Sequence, residues 1–250
     1  MNYSDFTNNV DFLAFESPSE SNATQKIVWR VIATPTNLNR SEFESFMHEF
    51  KGDIVILRTL EPFLDTNLDR SKWDSIDCGL LTYWGTQNLV RKNYESQTCK
   101  LIPANARIDE FEEVVRSSFI GYTNHYSFNA MFDSISPTEA YVDWAVRAAV
   151  AKDPNSHALL LVQNDVSVGS ILAHKNENEF EIQLAGIHAD FQRRGLYTQM
   201  IEKFWSQLVL ETELPMVIST QIENRAVQSA WMKLGLTEEF RVFTTHIVRK

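Results

Sequence analysis

The segment Ile187-His188-Ala189-Asp190-Phe191-Gln192-Arg193-Arg194-Gly195-Leu196-Tyr197 carries the clearest chemical signal in the chain. It reads as the end of a strand, a short turn and the first turn of a helix. The first N–H groups of a helix have no partner within it, and the macrodipole places partial positive charge there. Arg193 and Arg194 add formal charge and forked donors that match phosphate oxygens. Strand, cationic turn and helix N-terminus together point to an anion site, and the anion they suit is a pyrophosphate. The alternative is a turn whose arginines meet only solvent, and this segment alone does not choose.

The residues that follow decide it. Leu196, Met200, Ile201, Phe204, Trp205 and Leu208 recur at helical spacing. A turn with Pro215 leads into a β-branched strand, Met216 to Thr220, and then a helix from Ile222 to Leu236, with Asn224 near its start and Gly235 at its end. An alternating strand, Phe240 to Val248, closes the chain. Gln192-x-x-Gly195-x-Tyr197 resembles the Q/R-x-x-G-x-G/A signature with which the GNAT superfamily of acyl-CoA N-acyltransferases holds the CoA pyrophosphate. Asn224 through Leu236 resembles the second signature of that family, Asn…Tyr-x-Lys-x-Gly-Phe. The resemblance covers residues 99–250 and implies an α/β fold (α+β, mixed sheet) in the GNAT order β-α-α-β-β-β-α-β-α-β. It also implies acyl-CoA as cosubstrate, no metal, and CoA contacts at Ile187, Gln192, Arg193, Arg194, Gly195, Leu196, Tyr197, Asn224 and Trp231.

In such enzymes an amine attacks the thioester carbonyl directly, in a ternary complex. The resemblance places the oxyanion donor on a backbone N–H of the strand ending near Ile187. A general base is harder to name. Along Glu181, Gln183, Ala185 and Ile187 a period of two puts one set on one face, which makes Glu181 a candidate carboxylate. The alternative is an exposed strand charge. His188 precedes the turn and His125 lies in an aromatic loop; imidazole titrates near neutrality, so both are candidate bases.

Two positions depart from the family pattern. The usual tyrosine, which reprotonates the CoA thiolate, falls at Trp231, and an indole N–H has no useful acidity. Tyr122, Tyr126 and Tyr141 are candidates for the missing acid. Tyr197 stands where Gly or Ala is usual. For the acceptor, the loop with Tyr122, Asn124, His125, Tyr126 and Phe128 offers rings that could stack on a base or sugar. Together with the added N-terminal region it looks most like bacterial acyltransferases acting on dTDP-linked amino-deoxysugars. These are the dTDP-fucosamine acetyltransferases and relatives that transfer a 3-hydroxybutanoyl group. Acetyl-CoA or 3-hydroxybutanoyl-CoA is then the donor, and cell-surface polysaccharide biosynthesis the setting. Two other readings stay open: an acetyltransferase for a protein N-terminus or small amine, and a CoA-binding module without catalysis.

Upstream, residues 1–98 read as a small α/β domain of unassigned role and residues 99–250 as the acyltransferase domain, with the boundary in the polar stretch Arg91 to Thr98. Strands are expected at Lys26 to Ala33, Asp53 to Thr59 and Leu80 to Trp84. A helix capped by Asn39 with Glu42 in a capping box turns Phe43, Phe46, Met47 and Phe50 inward, and residues 16–25 are expected to form a loop. In the second part, strands at Cys99 to Pro103, His157 to Gln163, Val166 to His174 and Glu177 to His188 accompany a helix at 108–118. Another helix opens at Ser136-Pro137-Thr138-Glu139. Of the 250 residues 44% are apolar, enough for a sizeable core. The net charge of −10 is shared evenly, 9 basic against 14 acidic side chains in residues 1–98 and 14 against 19 in 99–250. That balance excludes nucleic acid and anionic membrane as partners. Cys78 and Cys99 suit ordinary buried thiols. The N-terminus lacks a signal-peptide profile, so a cytoplasmic location is expected, with a homodimer left open.

Overall fold

The computed structural model describes residues 3–7, 12–33, 40–63, 68–90 and 99–250, with backbone alone at 40–42 and 211. It contains two compact units. The first comprises Met1–Thr82, Thr123–Pro137 and Phe240–Lys250; the second comprises Tyr83–Tyr122 and Thr138–Glu239. Two later segments thus count with the N-terminal residues. The expected boundary at 91–98 and the Asn39–Glu42 capping box lie outside the described residues and side chains.

In the first unit, α1 (Ser4–Thr7), β1 (Leu13–Glu16), α2 (Pro18–Thr24), β2 (Val28–Ala33), α3 (Arg40–Glu49), β3 (Ile54–Thr59) and β4 (Trp73–Thr86) follow in order, and β10 (Thr237–Arg249) returns from the end of the chain. The strands lie in the order β1-β2-β3-β10-β4. β2 and β3 are parallel, whereas β1 and β10 pair antiparallel with their neighbours. Phe43 and Met47 of α3, with Phe50 just after it, pack on Val31, Val55, Leu57 and Trp73, as the helical spacing requires. The opposite face carries Arg58 beside Thr244 and Ile56 beside His246. Residues 16–25 are not a loop: α2 starts with Pro18 at its first position and Glu20 in its first turn, and ends on Gln25 at φ +56°.

In the second unit, β5 (Cys99–Pro103), α4 (Ile108–Phe119), α5 (Pro137–Val150), β6 (Ser156–Gln163), β7 (Val166–Lys175), β8 (Phe180–Ile187), α6 (Leu196–Phe204), β9 (Met216–Gln221) and α7 (Arg225–Lys233) form the frame. The strand order is β9-β8-β7-β6-β5, antiparallel except for the parallel pair β8/β9 that α6 connects. Asn164 and Asp165, at φ +49° and +66°, make the tight β6–β7 turn. One core gathers Ile171, Ala173, Ile182 and Ile187 with Leu196, Met200 and Phe204 of α6 and Trp231 of α7. The other gathers Leu172 and Leu184 with Phe111, Val114 and Val115 of α4.

The decisive irregularity is in β8. Leu172 pairs with Leu184 but Ala173 pairs with Ile182, so Gln183 is an extra residue. A bulge of this kind bends and twists its strand. It also breaks the period of two. Ile182, Ala185 and Ile187 belong to the α6 side, whereas Glu181 lies opposite His174 and shares the face of Leu184. The expected single face of Glu181, Gln183, Ala185 and Ile187 does not form. Among the described residues no helix is long and apolar enough to cross a membrane.

Candidate functional site

β8 and β9 pair at only three positions, Phe180 with Met216, Glu181 with Val217 and Ile182 with Ile218. The register stops at the bulge. Beyond it, residues 183–187 of β8 and 219–221 of β9 run on without pairing to each other, so the two parallel strands part here.

At the end of β8 the chain enters the cationic turn. The His188 N–H donates to the Val168 carbonyl at 3.0 Å, and the Ala189 N–H to Ser117 Oγ at 3.0 Å. Gln192 Nε2 donates to the Ile187 carbonyl at 3.1 Å, tying the turn to the strand. Arg194 donates to the Asp190 carbonyl at 2.8 Å and lies over the Phe191 ring, 5.2 Å from its centroid. Gly195 sits at φ +75°, and a Cβ there would meet nothing within 4 Å. Glycine serves the backbone angle here, not a lack of space. Arg193, at φ +61°, takes the same conformation without that freedom, a local cost of about 1 kcal/mol. No side chain caps α6 at Gly195, and buried Leu196, Met200 and Ile201 fix its first turns to the core. Gln192, Arg193, Arg194 and Gly195 are exposed. The geometry is an uncapped helix N-terminus with two exposed arginines, following the strand that has parted from β9.

Hydrogen-bonding side chains gather at the unpaired end of β9. The Tyr122 hydroxyl lies 3.3 Å from Thr220 Oγ1, which also accepts from the Asn224 amide at 3.1 Å. Burial raises the Tyr122 pKa against its hydrogen bonds with Thr220 and the Gln221 backbone, and its ring packs on Phe119 and Tyr141. The two departures from the family pattern meet each other: Trp231 Nε1 donates to the Tyr197 hydroxyl at 3.0 Å. Trp231 is buried against Trp84, centroids 6.0 Å apart.

No protein-family model and no curated protein matches the sequence. Solved structures match at the level of fold. A functionally unknown conserved protein from Staphylococcus epidermidis is 15% identical with TM-score 0.54, over 89% of this chain and 84% of that one. A GCN5-related N-acetyltransferase from Sphaerobacter thermophilus is 12% identical with TM-score 0.52, over 96% and 76%. An acetyltransferase of the GNAT family from Colwellia psychrerythraea is 11% identical with TM-score 0.53, over 86% and 74%. The fold is the GNAT fold.

Within this GNAT fold the other sequence-predicted residues fall in separate places. Asn124, His125 and Tyr126 belong to the first unit. Asn124 Oδ1 accepts the Tyr126 N–H at 3.0 Å, capping a short helical turn. The Tyr126 hydroxyl bonds Glu20 and also accepts from Arg30 at 3.1 Å. Arg30 Nε donates to Glu20 at 3.0 Å. Burial alone would raise the Glu20 carboxyl, but the Arg30 charge and hydrogen bonds from Arg30, Ser17 and Tyr126 hold it below the usual range.

His125 Nδ1 lies 2.9 Å from His246 Nε2, and the Asn129 amide nitrogen lies 3.1 Å from His246 Nδ1. Asn129 Oδ1 accepts the Met131 N–H, which fixes the amide's orientation. Asn129 therefore donates to His246 Nδ1, His246 donates through Nε2 to His125 Nδ1, and His125 carries its proton on Nε2. Burial first, then the Arg58, His246 and Arg30 charges, push the His125 pKa well below normal. The lone pair of neutral His125, on Nδ1, is thus committed to the His246 N–H.

His188 Nδ1 accepts the Asp190 N–H at 3.3 Å, so its neutral ring also carries the proton on Nε2. Glu181 is buried at the paired end of β8. Sequence reasoning missed Ser117, Thr220 and the Glu20–Arg30–His246 group. Only Thr220 had a local signal, a hydroxyl closing a β-branched strand just before Asn224. Cys78 and Cys99 are buried free thiols, as expected. Among the described residues no three His, Cys, Asp or Glu side chains group to hold a metal ion.

Proposed function

We propose that the second unit transfers an acyl group from acyl-CoA to an amine. One observation carries this reading: β8 and β9 part at the Gln183 bulge, directly ahead of an uncapped helix N-terminus with two arginines. The pyrophosphate lies against the N–H groups of Gly195, Leu196 and Tyr197, assisted by Arg193 and Arg194, with Gln192 and Ile187 bracing the turn. The pantetheine arm enters between the parted strands beside Asn224. A β8 backbone N–H between Gln183 and Ile187 donates to the thioester oxygen as it becomes an oxyanion; one such donor supplies about 3 kcal/mol. Holding amine and thioester together supplies more.

The amine reacts in its uncharged form and sheds its proton to water. For the acceptor we propose the amino group of a dTDP-linked amino-deoxysugar. The Phe119, Tyr122 and Tyr141 rings, centroids 4.9 to 5.9 Å apart, support this as stacking faces. The lack of a poised histidine base favours one second reading, a unit that binds CoA without transfer. Thiol release separates the two. Acetyl-CoA and 3-hydroxybutanoyl-CoA are incubated with several dTDP-amino-sugars, with an N-terminal peptide and with buffer. Release that needs the amino-sugar supports the full proposal, release with the peptide moves the acceptor, and tight CoA binding without release leaves the second reading.

A further inference from the structure

Between Tyr122 and Pro137 the chain crosses one face of the first unit's sheet without contributing a strand to it. The N–H groups of Ser127, Asn129, Phe132, Asp133 and Ile135 donate to carbonyls within this segment, at 2.8 to 3.3 Å. Side chains tie it to the rest of the unit. Phe132 packs on Val28, Ile54, Ile56 and Val248. Ser134 Oγ donates to the Ala23 carbonyl of α2 at 2.9 Å, and the Tyr126 hydroxyl meets Glu20 and Arg30. A further tie is the buried chain from Asn129 through His246 of β10 to His125. That chain has no place for another proton. His246 Nδ1 accepts from Asn129, whose amide is held in its orientation because Oδ1 accepts the Met131 N–H at 3.0 Å. A proton on His246 Nδ1 would set donor against donor at 3.1 Å. A proton on His125 Nδ1 would do the same against the His246 N–H at 2.9 Å. Arg30 of β2 and Arg58 of β3 oppose either cation. Glu20 of α2 acts the other way on His246, but already serves Arg30 and Tyr126. On β4 the Cys78 thiol lies against the His246 backbone.

We propose that residues 123–136 form a proton-operated strap, which lifts from the sheet of the first unit when His246 and His125 take up protons. Closed, both rings are neutral and the hydrogen-bond chain is complete. Lifting brings the rings to water, where imidazole titrates near 6.5. The closed form holds His246 at about 3, and burial with the nearby Arg58, His246 and Arg30 charges holds His125 well below its ordinary value. Below about pH 6.5 protons therefore bind the open form and not the closed one, so acid favours opening and neutral pH favours closing. For His246 alone, the step from pH 7.5 to pH 5 raises the ratio of open to closed form roughly thirtyfold. His125 pushes the same way. Because its backbone bonds are internal, the strap can move as a unit without taking apart a strand pair. Its opening does not depend on the acyl-transfer reading.

Hydrogen exchange of the full chain, read by mass spectrometry at pH 7.5 and pH 5, tests this once rates are corrected for the intrinsic pH dependence of amide exchange. In the wild type, strap peptides should lose protection by about thirtyfold or more on acidification. Peptides of β2 and β3 should stay the better protected at both pH values. His246→Gln, which can keep both hydrogen bonds without titrating, should cut the strap's acid response by about thirtyfold. His125→Gln should cut it as well, and decides if His246→Gln fails to fold. Tyr126→Phe removes one tie but no imidazole, so its strap should exchange faster at both pH values with the wild-type acid response. An acid response that survives in the histidine variants, or is lost equally in Tyr126→Phe, overturns the proposal. So does a strap that loses protection together with β2 and β3 at one rate, which is opening of the whole unit.

Discussion

Replacing His246 by Gln should make the protein less sensitive to acid without weakening it at neutral pH. His246 is fully buried. Burial, with Arg58 and Arg30 nearby and against the pull of Glu20, pushes its pKa from 6.5 to about 3. Between those values the unfolded chain binds a proton that the folded chain refuses. Stability therefore rises with pH through this window and is lost as pH falls below the unfolded value. At pH 5 the penalty is about 2 kcal/mol, set almost wholly by the unfolded pKa, since one pH unit is worth about 1.4 kcal/mol. Glutamine can reproduce both hydrogen bonds, its oxygen accepting from Asn129 and its nitrogen donating to His125 Nδ1, without titrating. Each kcal/mol moves Tm by about 2–4 °C at this chain length. On going from pH 7.5 to pH 5, the Tm of His246→Gln should therefore fall about 4–8 °C less than that of the wild type, with the two similar at pH 7.5. Scanning calorimetry at constant ionic strength measures this. An equal acid-induced drop in both proteins, or imidazole NMR shifts showing His246 titrating near 6.5, would refute the reasoning.

Other substitutions probe other parts of the frame. A Cβ on Gly186 would sit 2.5 Å from Ser118 Cβ; Gly186→Ala should cost about 1–3 kcal/mol in urea unfolding, because α4 must shift away from β8. Gln192→Ala removes the brace to the Ile187 carbonyl. It should weaken CoA binding by roughly three- to tenfold in calorimetry, the value of one hydrogen bond, with little change in Tm. Glu20→Ala leaves Arg30, whose side chain is 20% exposed, without its carboxylate, and should destabilise the chain by about 3 kcal/mol or more in urea titration.

Local chemistry was readable and distant pairing was not. Pro137 and Glu139 announce α5, Cys99 to Pro103 is a strand to the residue, and Asn164-Asp165 turns as those residues favour. The same Ser-Pro-x-Glu start recurs at Ser17 to Glu20, yet the polar stretch after it hid a helix that its own surface does not demand. The early part of β4 was hidden in the same way, since Asp74, Ser75 and Asp77 mask a strand that begins at Trp73. The Gln183 bulge leaves no trace in a pattern of types, because one extra residue changes faces without changing composition. The aromatic loop was read as an acceptor pocket from its rings. Its histidine meets His246, 121 residues away, a contact that only the assembled sheet reveals. At the site, the turn and Asn224 were visible as motifs. The bond between Trp231 and Tyr197 was not, because each looked like a separate departure.

The account stands most directly on where coenzyme A binds. A structure of the protein with CoA should show the pyrophosphate oxygens within hydrogen-bonding distance of the Gly195, Leu196 and Tyr197 N–H groups, and the pantetheine between β8 and β9 beyond Gln183. CoA bound elsewhere, or no binding by calorimetry at millimolar concentration, would contradict it.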